Sequence, residues 1–188
     1  MAGDLQTQIK QPRPFRSPEE AAFLNVLRTA SALLGEFVEV LRPHGISQPQ
    51  YNVLRILRGA GPAGLPSGEV GDRMVARDPD VTRLLDRMEA RGLVTRARDQ
   101  ADRRVVAARL TDAGRRLVDA LDAPVQAMQA RLLGHLTGDE LRTLSALLER
   151  ARDEAERGGA AAVGRGAEAE PADPPRRARP RRSAPNAT

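Results

Sequence analysis

Residues 67–111 read SGEVGDRMVARDPDVTRLLDRMEARGLVTRARDQADRRVVAARLT, and the spacing of apolar residues within this stretch decides the fold. Val70, Met74 and Val75 give a short first helix an inner side, with Ser67 as its expected cap. Val81, Leu84, Leu85 and Met88 recur at helical spacing and give a second helix its own stripe. Residues 76–78 form the turn between them, and Asp78-Pro79 is the start signal of the second helix. Its stop is Arg91-Gly92-Leu93, where Gly92 suits the left-handed position after a helix and Leu93 folds back on Met88. The face opposite the stripe carries Asp80, Thr82, Arg83 and Arg87. Two short helices joined tightly, the second with polar and arginine residues near its start, describe a helix-turn-helix. That arrangement sets the N-terminal end of the second helix against base edges in the major groove. Val94 to Arg98 and Arg104 to Leu110 then read as the strands of one hairpin, a wing whose tip, residues 99–104, reaches the adjacent minor groove. The same pattern also fits a solvated helical hairpin.

Helix starts outside this stretch are marked by caps. Ser17-Pro18-Glu19-Glu20, Ser47-Gln48-Pro49-Gln50 and Thr137-Gly138-Asp139-Glu140 are capping boxes, and Thr111 is a further cap. They predict helices over 18–42, from Pro49 to Arg58, from Thr111 to Leu136 with a kink at Pro124, and over 138–156. The fold class is therefore mainly α with one β-hairpin wing, a winged helix-turn-helix. The first helix repeats Leu24, Leu27, Ser31, Leu34, Val38 and Leu41, widened by Phe23 and Phe37; the last repeats Leu141, Leu144, Leu148 and Ala151. Stripes this long need a partner surface, which predicts a homodimer joined through these end helices. Residues 1–16 and 158–188 lack apolar periodicity and read as a disordered arm and a disordered Ala/Pro/Arg-rich tail around a folded unit of 17–157.

Composition removes several function classes. With no Cys among 188 residues, disulfides, zinc-thiolate sites and thiol redox switches are excluded, and His44 and His135 are too few for a His-rich metal site. Neither a membrane-spanning window nor a secretory leader is expected, which points to the cytoplasm. No cofactor is called for. Gly59-Ala60-Gly61-Pro62-Ala63-Gly64 matches the dinucleotide-binding G-x-G-x-x-G in letters, but it follows a capped helix rather than a strand and reads as a helix-terminating loop. Without a nucleophile elbow, a phosphate loop or a zinc helix, the chain is not expected to be an enzyme. Charge is more informative. Residues 73–116 hold twelve arginines against seven acids, in a chain whose net charge is only +5, which is the distribution that phosphate backbones attract.

Residues 69–114 resemble the MarR family of winged helix-turn-helix regulators. The likeness is carried by Glu69 to Met74, by Asp80 to Val94, by the wing Arg98 to Arg104, and by its exit Arg109 to Gly114. The resemblance implies a ligand-responsive regulator, a repressor, that binds a pseudo-palindromic operator as a homodimer. It implies a DNA-binding part of about 47–111 and dimerisation helices of about 18–42 and 112–157. On this likeness Thr82 and Arg83 match phosphate and base contacts of the recognition helix. Asp102 and Arg104 match the wing-tip pair, Arg104 entering the minor groove with Arg103 beside it and Asp102 orienting it. Gln48 and Gln50 fall where family members touch backbone phosphates. Asp80 stands either as a helix-start carboxylate, the favoured reading, or as an acceptor for a cytosine amine. The implied effector is small, hydrophobic or phenolic, held between the first, second and fifth helices, with Tyr51 and Arg55 as candidate polar contacts. An alternative of a different class is a helical dimeric interaction module that has lost operator binding. In the tail, Pro175 to Arg182 resembles a minor-groove hook with Ala178 at its central glycine position, so a basic tail adding non-specific affinity is the simpler expectation.

Overall fold

The computed structural model describes residues 4–76, 80–98 and 106–166, with side chains to 157. The chain divides into two compact units, Met1–His135 and Leu136–Thr188.

Within the arm expected to be disordered, the described residues from Asp4 onward include a short helix. Helix α1 (Leu5–Gln8) is capped by Asp4, whose carboxylate accepts from the Thr7 amide at 2.9 Å. Leu5 is buried, and Gln8 Oε1 accepts from Arg28 Nε at 3.4 Å. One leucine and one cap order this segment, too little to register as periodicity. Helix α2 (Pro18–Leu41) begins as expected, with Ser17 Oγ accepting from the Glu20 amide, and ends in a 3-10 turn, Arg42–His44, closed by Gly45. The span Pro18–His44 is apolar and long enough to cross a membrane by length and composition, contrary to expectation. Its alanines and leucines raise the average although Asn25, Arg28, Glu36 and Glu39 interrupt it.

Helix α3 (Gln48–Ala60) carries the full Ser47/Gln50 capping box and runs two residues past Arg58. The glycine-rich segment after it is a 3-10 turn, Gly61–Ala63, as the loop reading requires. Gly64 then turns at φ +71, where a Cβ would sit 2.2 Å from the Ala108 carbonyl oxygen. That close approach creates an element the sequence did not announce: β1 (Leu65–Pro66) pairs with the outer edge of the wing. Helix α4 (Ser67–Asp72) has Ser67 as its first residue, not its cap, because Pro66 occupies the cap position without a side-chain bond.

Helix α5 (Val81–Ala90) starts at Asp80, whose Oδ1 accepts from the Arg83 amide at 3.1 Å. The cap is therefore Asp80, and Asp78-Pro79 lies outside the described residues. At its other end Leu93 N donates to Met88 O (3.0 Å) and Gly92 N to Glu89 O (2.8 Å), with Gly92 at φ +67. This is the expected glycine stop. Strands β2 (Val94–Arg98) and β3 (Val106–Leu110) pair from Val94↔Leu110 to Arg98↔Val106, giving the order β1-β3-β2. Three strands replace the single hairpin.

Thr111 ties the wing to the next helix. Its hydroxyl donates to Gly92 O (2.7 Å) and accepts from the Gly114 amide (3.0 Å), starting α6 (Asp112–Ala120). Helix α7 (Asp122–Leu133) follows after a break at Leu121. The bend lies three residues before Pro124, because a proline lacks the amide that would reach the Ala120 carbonyl and is at home in a first turn. The core is built around α3, where Val53, Leu54 and Leu57 meet Val70, Leu84, Leu85, Met88, Val94, Val118 and Leu121.

In the second unit, α8 (Gly138–Gly166) begins at the expected box: Thr137 Oγ1 accepts from the Glu140 amide, and Glu140 Oε2 from the Thr137 amide. It extends about ten residues past its predicted end, and Leu144, Leu147 and Leu148 are exposed on it.

Candidate nucleic-acid interface

Helix α5 is split cleanly by its periodicity. Leu84, Leu85 and Met88 are buried almost completely, which turns Thr82, Arg83 and Arg87 outward into solvent. Asp80 spends one carboxylate oxygen on the cap, while the other pairs with Arg83 Nε at 3.1 Å. The structural role expected of Asp80 is thus occupied. Its ion pair also holds the Arg83 guanidinium beside the helix start, where the partial positive charge of the free amides adds to it. Arg87, one turn further on the same face, has no ion pair among the described residues.

The arginine cluster does not act as one body of charge. Arg73 pairs with Glu69 at 3.0 Å, Arg91 donates to the Gly45 carbonyl at 2.8 Å, and Arg109 donates to the Ala63 carbonyl at 2.9 Å. Arg96 is committed furthest. Its amide and Nε take both oxygens of Glu89 (2.8 and 2.9 Å), and its terminal nitrogen reaches Asp86 at 2.5 Å. Because Arg96 stands on β2 and both acids stand on α5, this contact sets the wing at a fixed offset from the helix. These contacts brace the helices against the wing, while Arg87, Arg98, Arg115 and Arg116 are exposed and make no ion pair among the described residues, and Arg83 is exposed with Asp80 as its partner. The wing-tip residues Asp102, Arg103 and Arg104 lie outside the described residues.

Gln48 and Gln50 stand half-buried at the start of α3. The side-chain carbonyl of Gln50 accepts from the Ser47 amide at 3.0 Å and lies 3.5 Å from an Arg91 nitrogen, so only its amide nitrogen is left for a phosphate. Asn52, which sequence reasoning passed over, is buried one turn further on, and its Oδ1 accepts from the Val75 amide at 2.8 Å. It pins the chain leading into the recognition helix, and no local pattern marks it in the sequence.

Tyr51 is a core residue: its ring meets Phe37 edge-on at 5.3 Å, and burial pushes its phenol above the ordinary range. The exposed Arg55 lies over that ring at 5.9 Å. Between α2 and α7 an apolar cleft of about 240 Å³ is lined by Leu33, Leu34, Phe37, Met128 and Leu132. Tyr51 and Arg55 do not line it; Tyr51 backs it only through Phe37. No cluster of three metal-ligating side chains exists among the described residues.

Comparison with known proteins agrees with this geometry. A sequence model of the MarR family matches residues 44–105, from the turn before α3 into the wing. The repressor MdtR of Bacillus subtilis is 33% identical over 106 residues, 56% of this chain and 67% of its own length. A MarR transcription factor from Planctomyces limnophilus is 41% identical, with a TM-score of 0.56 across 72% of this chain and 98% of that one. CouR from Rhodococcus jostii, solved bound to p-coumaroyl-CoA, is 27% identical with a TM-score of 0.63 over 72% and 94% of the two chains. With an exposed, arginine-bearing α5 braced against a wing and with these relatives, the protein belongs to the MarR family of helix-turn-helix transcriptional regulators.

Proposed function

We propose that the chain is a cytoplasmic repressor that binds a pseudo-palindromic DNA operator as a homodimer and is released by a small hydrophobic or phenolic effector. The observation that carries this reading is α5, whose inward face is saturated by the core while Thr82, Arg83 and Arg87 face solvent beside a capped helix start. Residues of about 47–111 form the DNA-binding part, and helices of about 18–42 and 112–157 the dimerisation part. Arg83 reads a base edge or phosphate from the major groove, and Arg104 follows the narrow minor groove with Asp102 orienting it and Arg103 alongside. The amide side of Gln50, with Gln48, meets the backbone. Support for the effector comes from the apolar cleft between α2 and α7 and from CouR, whose structure holds p-coumaroyl-CoA.

The test is a competition titration against operator and scrambled DNA at two salt concentrations, with circular dichroism as the folding control. Arg83→Ala should cost about 1–3 kcal/mol per half-site on the operator and little on random sequence. Arg104→Ala should weaken binding and lower the preference for A·T-rich flanks. Wild-type operator affinity in both folded variants would remove Arg83 and Arg104 from DNA reading, and a parent protein that binds operator no better than scrambled DNA would favour the interaction module.

A further inference from the structure

Arg58 stands at the C-terminal end of α3 and pairs with two carboxylates at once. Its two terminal nitrogens grip Asp122 in parallel (2.8 and 2.9 Å), and one of them also meets Asp119 at 2.8 Å. A planar guanidinium fits this fork where a lysine cannot. The pairs hold the Arg58 guanidinium protonated above its already high range, and Arg58 in turn holds the Asp122 carboxyl below the usual carboxylate range.

The placement matters more than the strength. Asp119 belongs to α6 and Asp122 to α7, so the two acids lie on either side of Leu121, where the helix is interrupted. Pro124 has no amide to offer the Ala120 carbonyl, so one backbone bond is missing across that interruption and side-chain contacts take a larger share in setting the angle between α6 and α7. Behind the joint, α6 is capped onto the wing through Thr111. Ahead of it, α7 packs along α2, the apolar helix that the proposed dimer buries. Helix α3 meanwhile holds the chain entering α5 through Asn52, two turns from Arg58. One helix thus grips the recognition element with one side chain and the joint with another.

We propose that Arg58 is a positioning residue: its bridge from α3 to Asp119 and Asp122 locks the α6–α7 joint and so fixes the angle at which α5 and the wing are presented to DNA. This rests on the operator-binding reading for its consequence but not for its geometry. When the clamp is lost, the reading head keeps its own packing and swings about Leu121, so two heads in a dimer no longer hold one half-site separation.

The absence of native cysteines permits a direct test. Ala90→Cys on α5 and Gln126→Cys on α7, both exposed, are spin-labelled in the full chain, diluted with unlabelled protein so that only the within-chain pair is read. Arg58→Met should broaden the distance distribution at least twofold, with Arg58→Lys intermediate. The same variants without labels are titrated against operators whose half-sites are separated by one base pair more or less. Arg58→Met should lose about tenfold on the best spacing and flatten the preference between spacings, while affinity for an isolated half-site stays within threefold. If Arg58→Met does not fold, Asp119→Asn, which removes one of the two carboxylates and leaves the bidentate pair, is read in its place and should show the same changes at smaller size. A distribution superimposable on the wild type overturns the clamp, and a broadened distribution with an unchanged spacing profile overturns its role in presenting α5. A wild-type chain that binds no operator would instead break the functional reading, with the distance measurement still deciding the clamp.

Discussion

Helices α5 and α2 use apolar residues in opposite ways. The ten residues of α5 bury Leu84, Leu85 and Met88 within the chain, and apart from Ala90 what remains exposed is charge and hydroxyl. The twenty-four residues of α2 bury only Leu41 fully, while Phe23 (64%), Leu27 (52%), Leu34 (50%) and Val38 (50%) stay open to solvent. The first helix is completed by its own fold and offers polar groups to a polar partner. The second leaves a row of apolar side chains uncovered, and these are the side chains that the proposed dimer buries. The proposed operator-binding dimer needs one of each.

The largest effect expected from this contrast is on stability. Leu85→Ala empties a fully buried site and should cost about 2–5 kcal/mol, read by denaturant unfolding at constant slope. An equal loss from Leu27→Ala at micromolar concentration in a demonstrated monomer would erase the distinction between the helices.

A second prediction acts on association. Leu34→Ser with Val38→Ser should leave the secondary structure intact but weaken self-association by on the order of 2–4 kcal/mol, from the apolar area no longer removed from water. Sedimentation at several concentrations measures it. A doubly substituted protein that dimerises as tightly as the parent would place the subunit contact elsewhere.

The smallest effect lies at the joint between the two regions, and it depends on pH. Because Arg58 depresses the pKa of Asp122, the stabilisation is complete above the ordinary carboxylate value of about 4 and is lost as pH falls through the lower folded value. Asp122→Asn should therefore lower the melting temperature at neutral pH, with the gap to the parent closing in acid. A gap that stays constant from pH 7 to pH 3 would show that packing, not charge, accounts for Asp122.

The elements of α5 and its surroundings were legible because each rests on a local rule. A stripe at helical spacing, a glycine that alone tolerates a left-handed turn, and serine or threonine caps act over fewer than six residues, so neighbouring letters reveal them. The outward face of α5 could be read for the same reason: once Leu84, Leu85 and Met88 point inward, Thr82, Arg83 and Arg87 have nowhere else to go. The cap itself was misplaced by two residues, since Asp78 and Asp80 offer the same chemistry and only the backbone path selects between them.

Other features depend on residues far apart in the chain. Strand β1 exists because Gly64 lets the chain approach Ala108, and the arm is ordered because Leu5 finds cover; neither leaves a periodic trace. Composition correctly located the arginines, but their uses were settled in three dimensions. Arg96 meets acids seven and ten residues away, Arg91 a carbonyl 46 away, and Arg58 its aspartates 61 and 64 away. Sequence thus determined the helices, the wing strands and the outward face of α5, because short-range sterics and amphipathic burial are written in adjacent residues. Tertiary structure alone decided which charges outside that face brace the frame, because an ion pair depends on distance in space, which sequence separation does not measure.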